Sequence, residues 1–127
     1  MYIWNSVHTN EKVFSVLETR VEDAELVKSS RHAAAIVHRG RILTTGVNQE
    51  KTHPIMLKLQ DNPKKVYLHA EVDAIIRAIN LFGNDILQDC SIYIMRKTKT
   101  GRIASSKPCA GCQKFIDSVG IQHVYYT

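Results

Sequence analysis

Two short stretches far apart in the chain constrain it most: His69-Ala70-Glu71 and Pro108-Cys109-Ala110-Gly111-Cys112. Together they supply one imidazole, two thiols and one carboxylate. Cys109 and Cys112 are spaced to share one face of a helix, where both thiols can point at a single ion. Two thiolates and an imidazole suit zinc, which binds them tetrahedrally with bonds of roughly 2.0–2.3 Å. Three protein ligands leave a fourth position for water, the arrangement of a catalytic site rather than a structural one. Glu71 is then not needed as a ligand and is available to take a proton from that water.

Each half of this pattern is weak alone. A His-x-Glu triplet on a helix is commonly a surface or capping pair, and a lone Cys-x-x-Cys also fits a redox motif, which would leave His69 and Glu71 without a role. Both halves in this order, with a proline before the first cysteine, are far more specific. The chain has three cysteines. An odd number without a secretion signal argues against a disulfide framework, and Cys90, before Ser91-Ile92-Tyr93-Ile94-Met95, reads as a small buried hydrophobe.

Hydrophobic periodicity places the motifs. Val13, Leu17, Val21, Ala24 and Val27 recur at helical spacing, predicting an amphipathic helix over 10–28 closed by Ser29-Ser30. Residues 32–38 and 42–47 flank Arg39-Gly40-Arg41 and read as a β-hairpin. Its triple alanine, 33–35, would let helices press closely on the sheet. Residues 48–65 contain Pro54 and Pro63 and few apolar residues, so a long loop with one helical turn at most is expected, with Lys51, His53 and Lys58 near the site. Val72, Ile75, Ile76 and Ile79 define a helix over 69–80, and residues 91–97 a strand with Ile92, Ile94 and Arg96 on one side. Lys99-Thr100-Gly101 marks a turn. Pro108 is expected to open a helix running to Val119 with Gly120 at its cap, and residues 121–127 form the last strand.

The order α-β-β-α-β-α-β predicts an α/β fold over one domain, residues 1–127: a three-layer α-β-α sandwich whose mixed sheet has an antiparallel N-terminal hairpin and parallel later strands. In that topology both motifs sit at helix N-termini. Consecutive crossovers bring such ends together at the C-terminal edge of the sheet, where α/β ligand sites form, and the exposed N–H groups there favour thiolates. No apolar stretch approaches the ~18–20 residues of a membrane span, and the N-terminus lacks a signal-peptide pattern. A cytoplasmic protein that does not engage a membrane is expected.

With these residues the chain resembles the zinc-dependent cytidine/deoxycytidylate deaminase superfamily from about Ser29 onward, and within it the deoxycytidylate (dCMP) branch. His-x-Glu followed by Pro-Cys-x-x-Cys is the signature of that chemistry. The resemblance implies a cytidine deaminase-like fold, Zn2+ held by His69, Cys109 and Cys112, and Glu71 as the group that shuttles the water's proton to the ring and then to the departing ammonia. It also implies that Asn48, in Thr45-Gly46-Val47-Asn48, hydrogen-bonds the ligand's sugar or its flanking groups, and that the backbone of Ala70 touches the base. Pro108 and His53 complete the expected substrate-binding set, although a capping or turn role before Pro54 competes for His53. Family members usually continue past the fourth strand, so an open sheet edge, and with it a homo-oligomer, is expected.

The expected substrate is a small-molecule nucleotide, dCMP or similar, converted to its uracil form. Net charge is +5, which favours an anionic ligand. Arg96, Lys97, Lys99, Arg102 and Lys107 form a basic run suited to a 5′-phosphate or a polynucleotide backbone, although a solvated strand end is the simpler account. A deaminase of cytosine or adenine in nucleic acid is the less favoured alternative, since no aromatic stacking platform stands out. Deamination of a free purine base or nucleoside is another. A zinc-bound nucleotide-binding module is the non-enzyme alternative, against which an intact Glu71 counts.

Overall fold

The computed structural model describes residues 8–27, 30–59 and 67–127, without the side chains of His8 and Thr9. Tyr2 and Trp4, expected to pack on the first helix, lie outside the described residues, as do Ser29 and Pro63. The elements are α1 (His8–Arg20), β1 (Ser30–His38), β2 (Arg41–Val47), β3 (Gln49–Thr52), α2 (Pro54–Leu59), β4 (Tyr67–Leu68), α3 (Ala70–Phe82), β5 (Cys90–Thr98), β6 (Ile103–Ala104), α4 (Ala110–Ser118) and β7 (His123–Tyr126).

The main sheet runs β2-β1-β5, with β6 and β7 both on the far side of β5. The hairpin is antiparallel, and its two-residue turn puts Arg39 at φ 49° and Gly40 at φ 81°, the paired positive φ values of a tight hairpin. β1 is antiparallel to β5 as well, so the parallel character of the later strands rests on one adjacent pair, β5 with β7. β2 and β5 do run the same way, but β1 lies between them.

Strand alternation sorts the core into two layers. Ala34 and Ile36 of β1, with Ile92 and Ile94 of β5, face Ala70, Ala74, Ile75 and Ala78 of α3 and Ile116 of α4. Ala33, Ala35, Val37, Tyr93 and Met95 face Val13 and Leu17 of α1. This is the expected three-layer sandwich, and the alanines allow the close approach. On β2, a Cβ added to Gly46 would strike the Ala74 amide and lie 2.6 Å from the Ala70 carbonyl, so α3 rests directly on this strand. The Thr44 hydroxyl, donating to the Ala74 carbonyl at 2.9 Å, ties the same contact.

Four expectations change. The first helix ends at Arg20 and gives way to a 3-10 turn, Val21–Asp23; Glu22 and Asp23 would place negative charge at the negative end of a longer helix. Within 48–65 the expected helical turn is α2, but residues 49–52 form β3, which pairs with β4 in a separate two-stranded sheet. β3 is Gln-Glu-Lys-Thr and almost fully exposed, so it carries no alternation to read. Pro108 does not open α4, because Cys109 is the N-cap and the proline stands just before it. Finally, β6 forms a hairpin with the end of β5 around Gly101 (φ 86°), where a turn alone was expected.

Candidate metal centre and active-site cavity

The site lies where the sheet outruns its helices on the α3/α4 side. β2 and β5 end there; β1, running opposite, begins there; α3 and α4 start there. Residues from all five therefore meet at one edge.

His69 is the N-cap of α3 and Cys109 the N-cap of α4, both with extended backbone, and neither side chain caps its own helix. His69 Nδ1 lies 3.2 Å from Cys112 Sγ and 3.9 Å from Cys109 Sγ. The three donor atoms all fall within 4.8 Å of one another. A tetrahedral zinc with ordinary bond lengths sets N···S and S···S edges of roughly 3.6–3.8 Å, so this triangle has the right size. Nδ1 is the ring nitrogen that faces both sulfurs.

Glu71, on the first turn of α3, is only 5% exposed. Burial pushes its pKa up, opposed by the His69 imidazole and by a hydrogen bond from a backbone N–H. The buried Cys112 thiol is pushed far up, first by its hydrogen bond with Cys109, then by burial and by the nearby Glu71. A buried thiol and a buried carboxyl that both resist ionisation beside each other become anionic more readily with a cation among them. Donor geometry and donor chemistry thus both fit zinc.

Above these groups opens a cavity of about 350 Å³, lined by Glu71, His69, Ala70 and Cys109 on its floor. One wall carries Ser30 and His32 from the start of β1, Arg96 from β5, and Ser105, Ser106 and Lys107 from the segment leading to Cys109. The lining is completed by Val27, which is hydrogen-bonded to Ser30 through both backbones, and by Tyr67 and Leu68 of β4. His32 and Arg96 are register partners across β1 and β5. Burial, then the Arg96 charge, lowers the His32 pKa to about 4, so its imidazole is neutral at neutral pH.

Asn48 lines the cavity and is buried, but its amide also works within the protein: Oδ1 accepts the His32 N–H at 2.7 Å, and Nδ2 donates to the Glu25 carbonyl at 3.0 Å. Asp73 supports it, accepting the Val47 N–H at 3.1 Å and a Gln49 side-chain N–H at 3.3 Å, one residue to either side of Asn48. His53 is not among the lining residues; its Nδ1 accepts the Ile55 N–H at 3.2 Å at the start of α2. Pro108 is buried beside the site without lining the cavity.

The basic run divides. Arg96 faces the cavity, whereas Lys97 faces α1 and pairs with Glu22 at 3.4 Å and Glu18 at 3.7 Å. Lys99 and Arg102 are exposed around the β5–β6 turn, and Lys107 returns to the rim. His32, Ser30, Ser106 and Tyr67 were not singled out from the sequence. His32 alternates with Ala34 and Ile36, which could have placed it on the metal face; Tyr67 precedes the His69 motif directly but stood in no recognisable strand.

Residues 7–127 match the family model of the cytidine and deoxycytidylate deaminase zinc-binding region. Among solved structures, the dCMP deaminase of cyanophage S-TIM5 in its apo form is similar with a TM-score of 0.65 at 21% identity, over 96% of this chain and 84% of that one. The guanine deaminase of Bacillus subtilis gives 0.56 at 23% identity, over 98% of this chain and 64% of that one. A cytidine deaminase from Mycobacterium tuberculosis gives 0.53 at 20% identity, over 87% and 77%. These likenesses establish the fold. No curated protein sequence matches the chain.

Proposed function

This chain belongs to the zinc-binding family of cytidine and deoxycytidylate deaminases, hydrolases of a C–N bond, and on that premise we propose that it deaminates a cytosine nucleotide of the dCMP type to the uracil form with release of ammonia. The observation that carries the substrate class is the charge of the cavity wall: Arg96 and Lys107 stand over a floor made of Glu71 and the metal donors. An uncharged base or nucleoside has no use for them; a phosphoryl group does.

In this mechanism His69, Cys109 and Cys112 would hold the zinc. When bound, the metal supplies an acidified water, its pKa brought toward ~7, and Lewis-acid polarisation. Glu71 would carry two protons in turn, both from the attacking water: the first to the ring nitrogen, and the second, released as the added hydroxyl becomes the uracil carbonyl, to the amine that departs as ammonia. Its burial suits the task, because a carboxyl whose pKa is raised holds a transferred proton more readily. The Ala70 backbone contacts the base. Asn48, held by His32 and Glu25, has one amide hydrogen and one lone pair left for the sugar.

We place residues 1–127 in one deaminase domain acting in the cytoplasm as a homo-oligomer. Among the described residues β2 pairs on one side only, with β1, and this edge together with the exposed Leu81 and Phe82 at the end of α3 supports self-association. No described helix is long and apolar enough to cross a membrane.

A second substrate, cytosine or adenine within RNA or single-stranded DNA, is favoured by one feature: Tyr67 lines the cavity and is 38% exposed, an aromatic face on which a base can stack. Ammonia release by zinc-loaded protein from dCMP, dCTP, cytidine, adenosine, guanine and an oligonucleotide separates these. Preference for dCMP is expected. Preference for the oligonucleotide moves the assignment to nucleic acid, and no turnover of any of them leaves a binding module.

A further inference from the structure

We propose that Arg96 is the specificity-determining residue that selects phosphorylated substrates, and that a Ser106–Thr127 latch positions it; the substrate class rests on the deaminase reading above. Three observations converge on this arginine.

First, its charge is uncompensated. Among the described residues Arg96 makes no ion pair. Its Nε donates to the Ser30 hydroxyl at 2.9 Å and its Nη1 to the Ser105 carbonyl at 3.3 Å. Neutral acceptors fix the direction of a guanidinium without neutralising it, leaving its remaining N–H groups for a planar, two-point grip on a phosphoryl group. Lys97, the next residue, is the contrast: facing the other side of the sheet, it is taken up by Glu18 and Glu22.

Second, its surroundings suit an anion. Its partner across the strands, His32, is neutral at neutral pH, with Nδ1 and Nε2 offering one donor and one acceptor. Ser30, Ser105 and Lys107 line the same wall.

Third, the wall is locked from behind. Ser106 is 3% exposed; its hydroxyl donates to the Ile94 carbonyl at 2.8 Å, and its N–H donates to the Thr127 carbonyl at 2.9 Å. The Thr127 hydroxyl donates to the Ala104 carbonyl at 2.7 Å and accepts the Arg96 backbone N–H at 3.4 Å. The latch therefore grips Arg96 at its backbone and, through the 104–106 segment, the carbonyl that holds its side chain. Ser106 and Thr127 are positioning residues, since they act through Arg96.

The test compares dCMP with deoxycytidine on zinc-loaded wild type, Arg96→Gln, Arg96→Lys, Lys97→Gln, Thr127→Val and Thr127→Ser. Wild type should favour dCMP. Arg96→Gln should lower kcat/KM for dCMP by roughly 10- to 150-fold, the value of a charged hydrogen bond, mostly through KM, while deoxycytidine changes less than about threefold. Arg96→Lys should fall between, covering the case in which the glutamine variant does not fold, and Lys97→Gln should match wild type. Thr127→Val should raise KM for dCMP with kcat and zinc content unchanged, and Thr127→Ser should restore it; a purely structural threonine would lower thermal stability and active fraction but leave KM alone. Retention of the dCMP preference by Arg96→Gln overturns the inference while the deaminase reading stands. If wild type turns over neither compound, that reading fails instead, and calorimetric titration with inorganic phosphate decides the inference: binding by wild type and loss in Arg96→Gln supports it, and equal or absent binding overturns it.

Discussion

The two faces of the central sheet bury different chemistry. Against α1, the sheet presents Ala33, Ala35, Val37 and Met95 to Val13 and Leu17, and the polar exception, Tyr93, is settled by a 2.6 Å hydrogen bond to Asn10. Against α3 and α4 the layer is equally apolar at its centre but ends in Glu71, Asp73, Asn48 and Ser106, all buried. One face only stabilises. The other spends part of its stability on buried polar groups, one of which, Glu71, is held by burial against ionising, the usual condition of a site built for proton transfer.

The largest break in that comparison is Glu71→Gln. It should lower kcat by roughly 10²–10⁴, read by ammonia release, with zinc content unchanged. Because burial opposes the charge of Glu71, the amide should leave the melting temperature equal or a few degrees higher. On the opposite face, Leu17→Ala should remove about 2–5 kcal/mol of stability in denaturant titration and leave KM and zinc content unchanged.

Gly46→Ala sharpens the contrast, since the glycine lies on the metal face where β2 touches the turn that follows His69. It should cost about 1–3 kcal/mol of stability and, unlike Leu17→Ala, also lower kcat by shifting the start of α3. The smallest effect is a pH dependence. His32 has its pKa lowered from 6.5 to about 4, so between these values the unfolded chain binds more protons. Its contribution is fully present above pH 6.5 and is lost as pH falls toward 4, on the order of 1 kcal/mol after solvent screening. Denaturant titrations across that range should show the slope, and His32→Gln should flatten it.

The same contrast explains what was legible in the sequence. The α1 face and the layer order follow from periodicity, because Val13, Leu17 and the alternating strand residues each carry their own signal. The metal donors were legible because zinc demands particular atoms at particular spacings, and two helix starts brought them together. The wall above them was not: Ser30 and His32 of β1, Arg96 of β5 and Tyr67 of β4 share no motif, and only the register pairing His32 with Arg96 sets the β1 and β5 residues side by side. Nor could composition divide the basic run between Arg96 in the cavity and Lys97 bound to α1. β3 and β6 escaped because one is exposed and the other is two residues long.

The central claim is that His69, Cys109 and Cys112 hold a zinc with one position open. X-ray absorption at the zinc edge of the loaded protein tests it most directly. Two sulfur scatterers at about 2.3 Å with two nitrogen or oxygen scatterers near 2.0 Å are predicted, and Cys112→Ser should reduce the sulfur count or release the metal. A shell of four protein ligands with no solvent oxygen, or an unchanged spectrum and zinc content in Cys112→Ser, would contradict the account.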